Sequence, residues 1–264
     1  MEKKKFMSKK NQPNFVKDLS IGAFSGGVVS FATYTAEFYG KNHHQFVYKK
    51  IGFSNYLNQN LRNILLPMLP VSCNFAFKEL FKQFLPSFDP QNQFVKFSMV
   101  QFFCGGLAGA TYTSLYHPLN FLRNNSDTKK KIGLEKYFRG YKGLGLSLST
   151  IIPYRATFFG FYDSFREKNQ HKNDLGMKGI LKKYLIAQIS VILAIKAQTP
   201  FIIMNSQLHY QRSKDSKITY REVFNNTFNR CGLIGMFRGG ISRYCIPPAF
   251  TLVLFDQIQG FLSK

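Results

Sequence analysis

The sequence predicts an all-α membrane protein of six transmembrane helices, arranged as three helix-pair repeats. Three observations carry this. Six segments reach spanning length, a proline-and-charge pattern recurs about every 80 residues, and the connecting basic residues gather on alternate loops. Mean hydropathy is only −0.16, and no window holds about 20 uninterrupted apolar residues. Once Gly, Ser, Thr and an occasional charge are admitted, segments 15–40, 60–84, 97–123, 143–166, 179–207 and 240–262 are each long enough to cross. Polar groups are tolerated in such helices where they face a water-filled cavity instead of lipid. A basic tail, 1–14, precedes a single domain, 15–264, whose repeats run 15–92, 93–172 and 173–264.

The odd segments carry small residues four apart, Gly22 with Gly26 and Gly105 with Gly109, which permit close helix contact. They share a break: TAEFYGK at Thr35, PLNFLRN at Pro118 and PFIIMNS at Pro200, with Pro118 and Pro200 as helix kinks. The even segments share an aromatic–acid ending: FKELFK with Glu79 and Lys82, YDSFR with Asp163 and Arg166, FDQIQ with Asp256 and Gln259. The loops from odd to even segments hold most connecting cations, such as Lys49, Lys50, Lys129, Lys130, Lys214 and Lys217.

Composition narrows the function classes. Thirty-six Lys and Arg against 13 Asp and Glu give a net charge of +23, which points to a polyanionic partner, nucleic acid or an anionic membrane surface. Twenty-nine Phe with no Trp suit a lipid-facing surface. No zinc, RRM or helix-turn-helix pattern supports nucleic acid. Cys73, Cys104, Cys231 and Cys245 form no CxxC and no metal spacing, and the five His are scattered apart from His43 and His44, so no metal site is expected. Paired carboxylates, a nucleophile elbow and a phosphate loop are all lacking, so an enzyme is not expected; Gly143-Leu144-Gly145 belongs to the repeat. The N-terminus has neither a signal-peptide apolar core nor an Arg- and Ser-rich transit run.

The stretches GGLAGAT from Gly105, HPLNFLR from His117 and YRATFFGFYD from Tyr154 resemble the second repeat of the mitochondrial carrier family, in its ADP/ATP carrier branch. The resemblance implies a threefold pseudo-symmetric six-helix bundle in the mitochondrial inner membrane, entering on internal signals. It also implies that the basic loops lie in the matrix and both termini toward the intermembrane space.

The family's P-x-[DE]-x-x-[KR] motif on each odd helix forms a charge ring that closes the matrix end. Here repeat one has Thr35, Glu37 and Gly40; repeat two has Pro118, Asn120 and Arg123; repeat three has Pro200, Ile202 and Asn205. The resemblance therefore leaves Glu37–Arg123 as the one ion pair and an Asn120–Asn205 hydrogen bond at best. On the even helices Glu79, Lys82, Asp163, Arg166, Asp256 and Gln259 make a fuller cytoplasmic-side network. Its expected pairs are Glu79–Arg166 and Asp256–Lys82, with Gln259 bonding Asp163.

Substrate contacts carried over from the family are Thr150, Ile151, Tyr154, Arg155 and Arg243, a vestigial set. Ser30, Leu66 and Tyr244 occupy positions where the family has cations, and a nucleotide bearing three or four negative charges needs several of these. NSQLHYQ replaces the arginine-rich signature of ADP/ATP carriers. The linkers after Glu37 and Asn120 are too short for the usual matrix helices, whereas ITYREVFNNTFNRCG keeps the third. Tyr141-Lys142-Gly143 and Phe237-Arg238-Gly239 match the family's cardiolipin motif, in which backbone N–H groups at a helix start meet phosphate. Leu57-Asn58-Gln59 has lost it. For Lys196, one turn before Pro200, the sequence offers snorkelling or contact with a partner subunit.

These features predict a carrier-fold protein without transport that acts as a structural or accessory subunit of a larger inner-membrane assembly such as a respiratory-chain complex. Structural cardiolipin is its expected lipid. The alternative is a working solute carrier, an ADP/ATP exchanger or a related small-anion antiporter; ADP and ATP are ligands only under that alternative.

Overall fold

The computed structural model describes residues 14–42, 53–124, 141, 143–169, 176–212, 219–237 and 246–262. Eight helices occur among them: α1 (Phe15–Asn42), α2 (Phe53–Leu65), α3 (Met68–Phe84), α4 (Phe94–Asn124), α5 (Leu144–Lys168), α6 (Met177–Arg212), α7 (Tyr220–Met236) and α8 (Ile246–Leu262). No strand occurs among the described residues. Among the described residues, three stretches are long and apolar enough to cross a membrane: Phe15–Glu37, Asn60–Phe84 and Met177–Leu208.

The helices close into a ring in chain order. Helix α1 packs on α3, α3 on α4, α4 on α5, α5 on α6, α6 on α8, and α8 returns to α1. Within the ring, α1/α3, α4/α5 and α6/α8 are the predicted pairs. Their outer faces are apolar and uncovered: Leu181, Leu185, Ile189 and Leu193 on α6, and Val95, Met99 and Phe103 on α4, recur at helical spacing and are all exposed. The opposite face of α6 buries Ala187, Val191 and Ala194 together with Lys183 and Ser190. Apolar outside with polar residues inside is the distribution a lipid solvent demands.

The expected even segment from residue 60 differs in its start. An amphipathic helix, α2, begins at Phe53 and gives way at Leu66-Pro67 to α3, because Pro67 lacks the N–H that would continue the ladder. Leu57-Asn58-Gln59 therefore lies inside a helix, whereas Tyr141 and Gly143 are turn residues ahead of α5 and Gly143 has φ 93°. Residues 43–52, 125–140 and 238–245, which hold most of the short-linker and matrix-loop expectations, lie outside the described residues. The helix expected in ITYREVFNNTFNRCG forms as α7: Glu222 accepts a hydrogen bond from the Thr219 N–H at 3.1 Å to cap it, and Thr227 donates to Gln207 of α6 at 2.6 Å. Gly232, at φ 66°, interrupts α7 near its end.

Prolines 118 and 200 sit within α4 and α6, which continue past them. At the equivalent point of α1 the Thr35 hydroxyl donates back to the Phe31 carbonyl at 2.8 Å, and that helix keeps its backbone N–H. Helices α4 and α5 approach through glycine: a Cβ on Gly105 would stand 2.6 Å from the Arg155 carbonyl oxygen. Gly105→Val is thus expected to wedge the pair apart and lower thermal stability by about 1–3 kcal/mol. Gly145→Ala, whose Cβ meets nothing within 4 Å, should leave the unfolding temperature of the detergent-solubilised protein unchanged or raised.

Candidate functional site

At the end of the ring where odd helices begin and even helices finish, the predicted charges converge. Lys82 of α3 contacts Asp163 of α5 at 2.7 Å, and Arg166 of α5 contacts Asp256 of α8 at 2.7 Å. Both pairs run opposite to the expected direction: each acid meets the base of the preceding repeat, so Glu79–Arg166, Asp256–Lys82 and the Gln259–Asp163 bond are replaced. Glu79 instead holds Lys82 of its own helix at 3.2 Å. Spacing along a helix places acid and base on one face but leaves open which neighbour each will meet.

Two lysines outside the motif join the network. Lys78 reaches Asp163 at 3.0 Å and Glu79 at 3.1 Å, while Lys183 of α6 reaches Asp256 at 3.1 Å. Both are almost fully buried, as are Asp163 and Asp256. Lys183 has counterparts: Asp18, Gln101 and Lys183 each stand seventeen residues ahead of Thr35, Pro118 and Pro200, and all three are buried. The repeat period alone would have found this triad. Glu79, Asp163 and Asp256 are thus matched by Lys78, Lys82, Arg166 and Lys183, while the buried Asp18 Oδ2 has no hydrogen-bond partner among the described residues. A buried charge needs such a partner, because its desolvation outweighs anything an unpaired site returns.

Directly below, aromatic rings from all three even helices fill the bore. Phe75 of α3 stacks on Phe255 of α8 with centroids 3.9 Å apart, and meets Phe159 of α5 edge-on at 5.2 Å. The Lys78 ammonium lies 4.8 Å from the Phe159 centroid, so the ionic and aromatic layers are joined. This end of the ring is closed.

Four of the residues expected at a substrate site, Thr150, Ile151, Tyr154 and Arg155, lie on α5 beneath that plug. The Arg155 guanidinium carbon sits 5.3 Å from the Tyr154 ring and 5.6 Å from Phe158, and its Nε has no hydrogen-bond partner among the described residues. Gly109 of α4 makes the room: a Cβ there would stand 2.6 Å from Arg155 Cγ. Thr150, one turn earlier, donates to the Ser147 carbonyl at 2.8 Å, and Ile151 is half-buried beside it. Arg243 and Tyr244 lie outside the described residues. One cation, held among aromatic faces, is what the described residues bring to this level.

At the far end, the Asn205 amide donates to the Leu146 carbonyl at 2.7 Å and to Ser149 Oγ at 3.4 Å, tying α6 to the start of α5. Glu37 is half-buried on α1. The side chains of Asn120 and Arg123 lie outside the described residues, as do Lys142, Arg238 and Gly239 of the lipid motifs. Lys196 proves to be tethered within the chain: its ammonium donates to the Phe237 carbonyl at 3.1 Å.

The pairing direction has a direct test. Arg166→Ala and Asp256→Ala should each destabilise by about 3–5 kcal/mol by stranding a buried charge, and in combination fall well short of additive. Lys82→Ala and Asp256→Ala should be closer to additive in the same thermal unfolding measurement. Strong coupling between Lys82 and Asp256 would restore the reverse direction.

No family model matches the chain. Among curated proteins it is similar to the ADP,ATP carrier protein of Parachlorella kessleri, with 27% identity over 80% of this chain and 68% of that protein. It is also similar to ADP/ATP translocase 4 of Mus musculus, at 29% over 80% of this chain and 72% of the translocase. ADP/ATP translocase 2 of Bos taurus matches at 29% over 81% and 79%. With its all-helical ring and outward apolar face, the chain is similar to these ADP/ATP carriers over about four-fifths of its length.

Proposed function

We propose that the chain is a carrier-fold protein of the mitochondrial inner membrane that no longer moves solute and serves as a structural or accessory subunit of a larger assembly there. A respiratory-chain complex is the host we favour. The carrying observation is the asymmetry between the two ends of the ring. A transporter must close each end in turn at comparable free energy, and a difference of about 5.5 kcal/mol is enough to shift a 1:99 population to 99:1. The network end holds two inter-repeat ion pairs and two further lysines, each broken buried pair costing about 3–5 kcal/mol. The opposite motif retains the charges for a single pair, Glu37 and Arg123. Such a balance favours one closed state.

The substrate level supports the same reading. Ser30, Leu66 and Tyr244 stand where the family's cations stand, which leaves Arg155 to meet a polyphosphate with little help. All six long segments cross the membrane in this reading, with both termini toward the intermembrane space and the Lys- and Arg-rich loops in the matrix. Structural cardiolipin sits at Tyr141-Lys142-Gly143 and Phe237-Arg238-Gly239. No side chain caps the start of α5 after the turn at Gly143.

A second reading, a working ADP/ATP exchanger or small-anion antiporter, is favoured by Arg155 alone, with its unpartnered Nε among aromatic rings. The two readings separate by native mass in mild-detergent extracts of mitochondria together with exchange in liposomes. Co-migration with a large respiratory assembly, and no exchange of ADP for ATP by the purified protein, are expected. A free species near 30.4 kDa plus detergent, stabilised by a nucleotide in an Arg155-dependent way, would replace this proposal with the exchanger.

A further inference from the structure

The outer face of the α4–α5 pair carries a groove of about 750 Å³. It runs from Phe94 at the start of α4 to Ala110, a length of about 24 Å along the helix. Half the hydrocarbon core is about 15 Å deep, so the groove covers the leaflet at the network end and passes the midplane. Gly106, Ala110 and Ala156 form its floor, and Met99 and Phe103 stand along it, well exposed.

Its mouth is not apolar. Lys168, the last residue of α5, holds its ammonium 3.9 Å from the centroid of the Phe94 ring, and Phe94 lines the groove. Lys168 is exposed and placed where a headgroup phosphate sits when a chain lies below. One turn further down, Ser98 lines the groove with its hydroxyl oxygen enclosed. A cation at the mouth of an apolar trough is the order of phosphate and acyl chain in a phospholipid. A helix as long as the groove and about 10 Å across has more than twice its volume. The groove instead falls in the range of about 300–1,000 Å³ typical of small-ligand sites.

We propose that this groove is a binding site for one anionic phospholipid, with an acyl chain between α4 and α5 and its phosphate on Lys168. The site lies at the opposite end of the ring from Tyr141-Gly143 and Phe237-Gly239, and it stands whether or not the protein transports.

The test uses the purified full-length chain in mild detergent, with phosphatidylglycerol and phosphatidylcholine of identical acyl chains as probes, read by native mass spectrometry. One phosphatidylglycerol should be retained in preference to phosphatidylcholine. Lys168→Ala should weaken that retention about fivefold, the order of one lysine near a phosphate, while Lys178→Ala, an exposed lysine at the same end of α6, should not. Ala110→Leu should displace the chain. A measurement on the unaltered protein guards against a misfolded variant: phosphatidylglycerol with a photoreactive acyl chain, in vesicles, should label the segment from Ser98 to Gly106 above the other helices. Equal retention of both lipids with no effect of Lys168→Ala would overturn the proposal, as would labelling spread evenly over all helices. Loss of a large assembly on Ala110→Leu without change in lipid retention would assign the groove to a partner helix instead.

Discussion

Three carboxylates and four cations are paired at one end of a helical ring, and none of these seven groups is tolerable there alone. An ionised group taken from water into a packed interior loses several kcal/mol of hydration, and only a close partner of opposite sign returns it. Each acid on an even helix must therefore meet a base on a neighbour, and this fixes which helices touch and at what height. The ring closes in chain order because Lys82 needs Asp163 and Arg166 needs Asp256. The aromatic layer of Phe75, Phe159 and Phe255 follows from the same alignment, since Phe75 and Phe159 lie one turn before Glu79 and Asp163 and Phe255 is next to Asp256.

Much of this was visible in the sequence. The threefold period, the prolines at 118 and 200, and the aromatic–acid endings located the helices and put Glu79, Lys82, Asp163, Arg166 and Asp256 at one end. What the sequence could not yield was the direction of pairing, because a helix presents both its neighbours with the same face and only the ring's handedness chooses between them. Lys78 and Lys183 escaped for another reason. A lysine beside Glu79, or the second of Lys182-Lys183, has the pattern of a solvated surface charge until the ring shows one of each pair turned inward. Gly109 was legible as a small residue at a helix contact, but not as the space that Arg155 occupies.

The candidate site has the same division. Tyr154 and Arg155 were found by likeness, and the structure brings them together beneath the plug. Lys196 was a lone charge in an apolar helix, and its partner is a backbone carbonyl some forty residues on, at Phe237. No side-chain pattern marks a carbonyl as an acceptor, so only the packing of α6 against the end of α7 reveals it. The same bond holds the end of α7 against α6.

The distribution of the network charges among the repeats has a consequence for biogenesis. Repeat one brings Asp18 and Glu79 with Lys78 and Lys82; repeat two brings Asp163 with Arg166; repeat three brings Lys183 with Asp256. Each helical hairpin is thus neutral in these groups, and in the third the two charges already touch across α6 and α8. A nascent hairpin can enter the bilayer with these network cations internally compensated. Docking of one hairpin on the next then exchanges partners, Lys82 taking Asp163 and Arg166 taking Asp256, without exposing a bare network charge to lipid. Threefold repetition gives the chain insertion steps whose buried charges are already balanced, as well as a symmetric bundle.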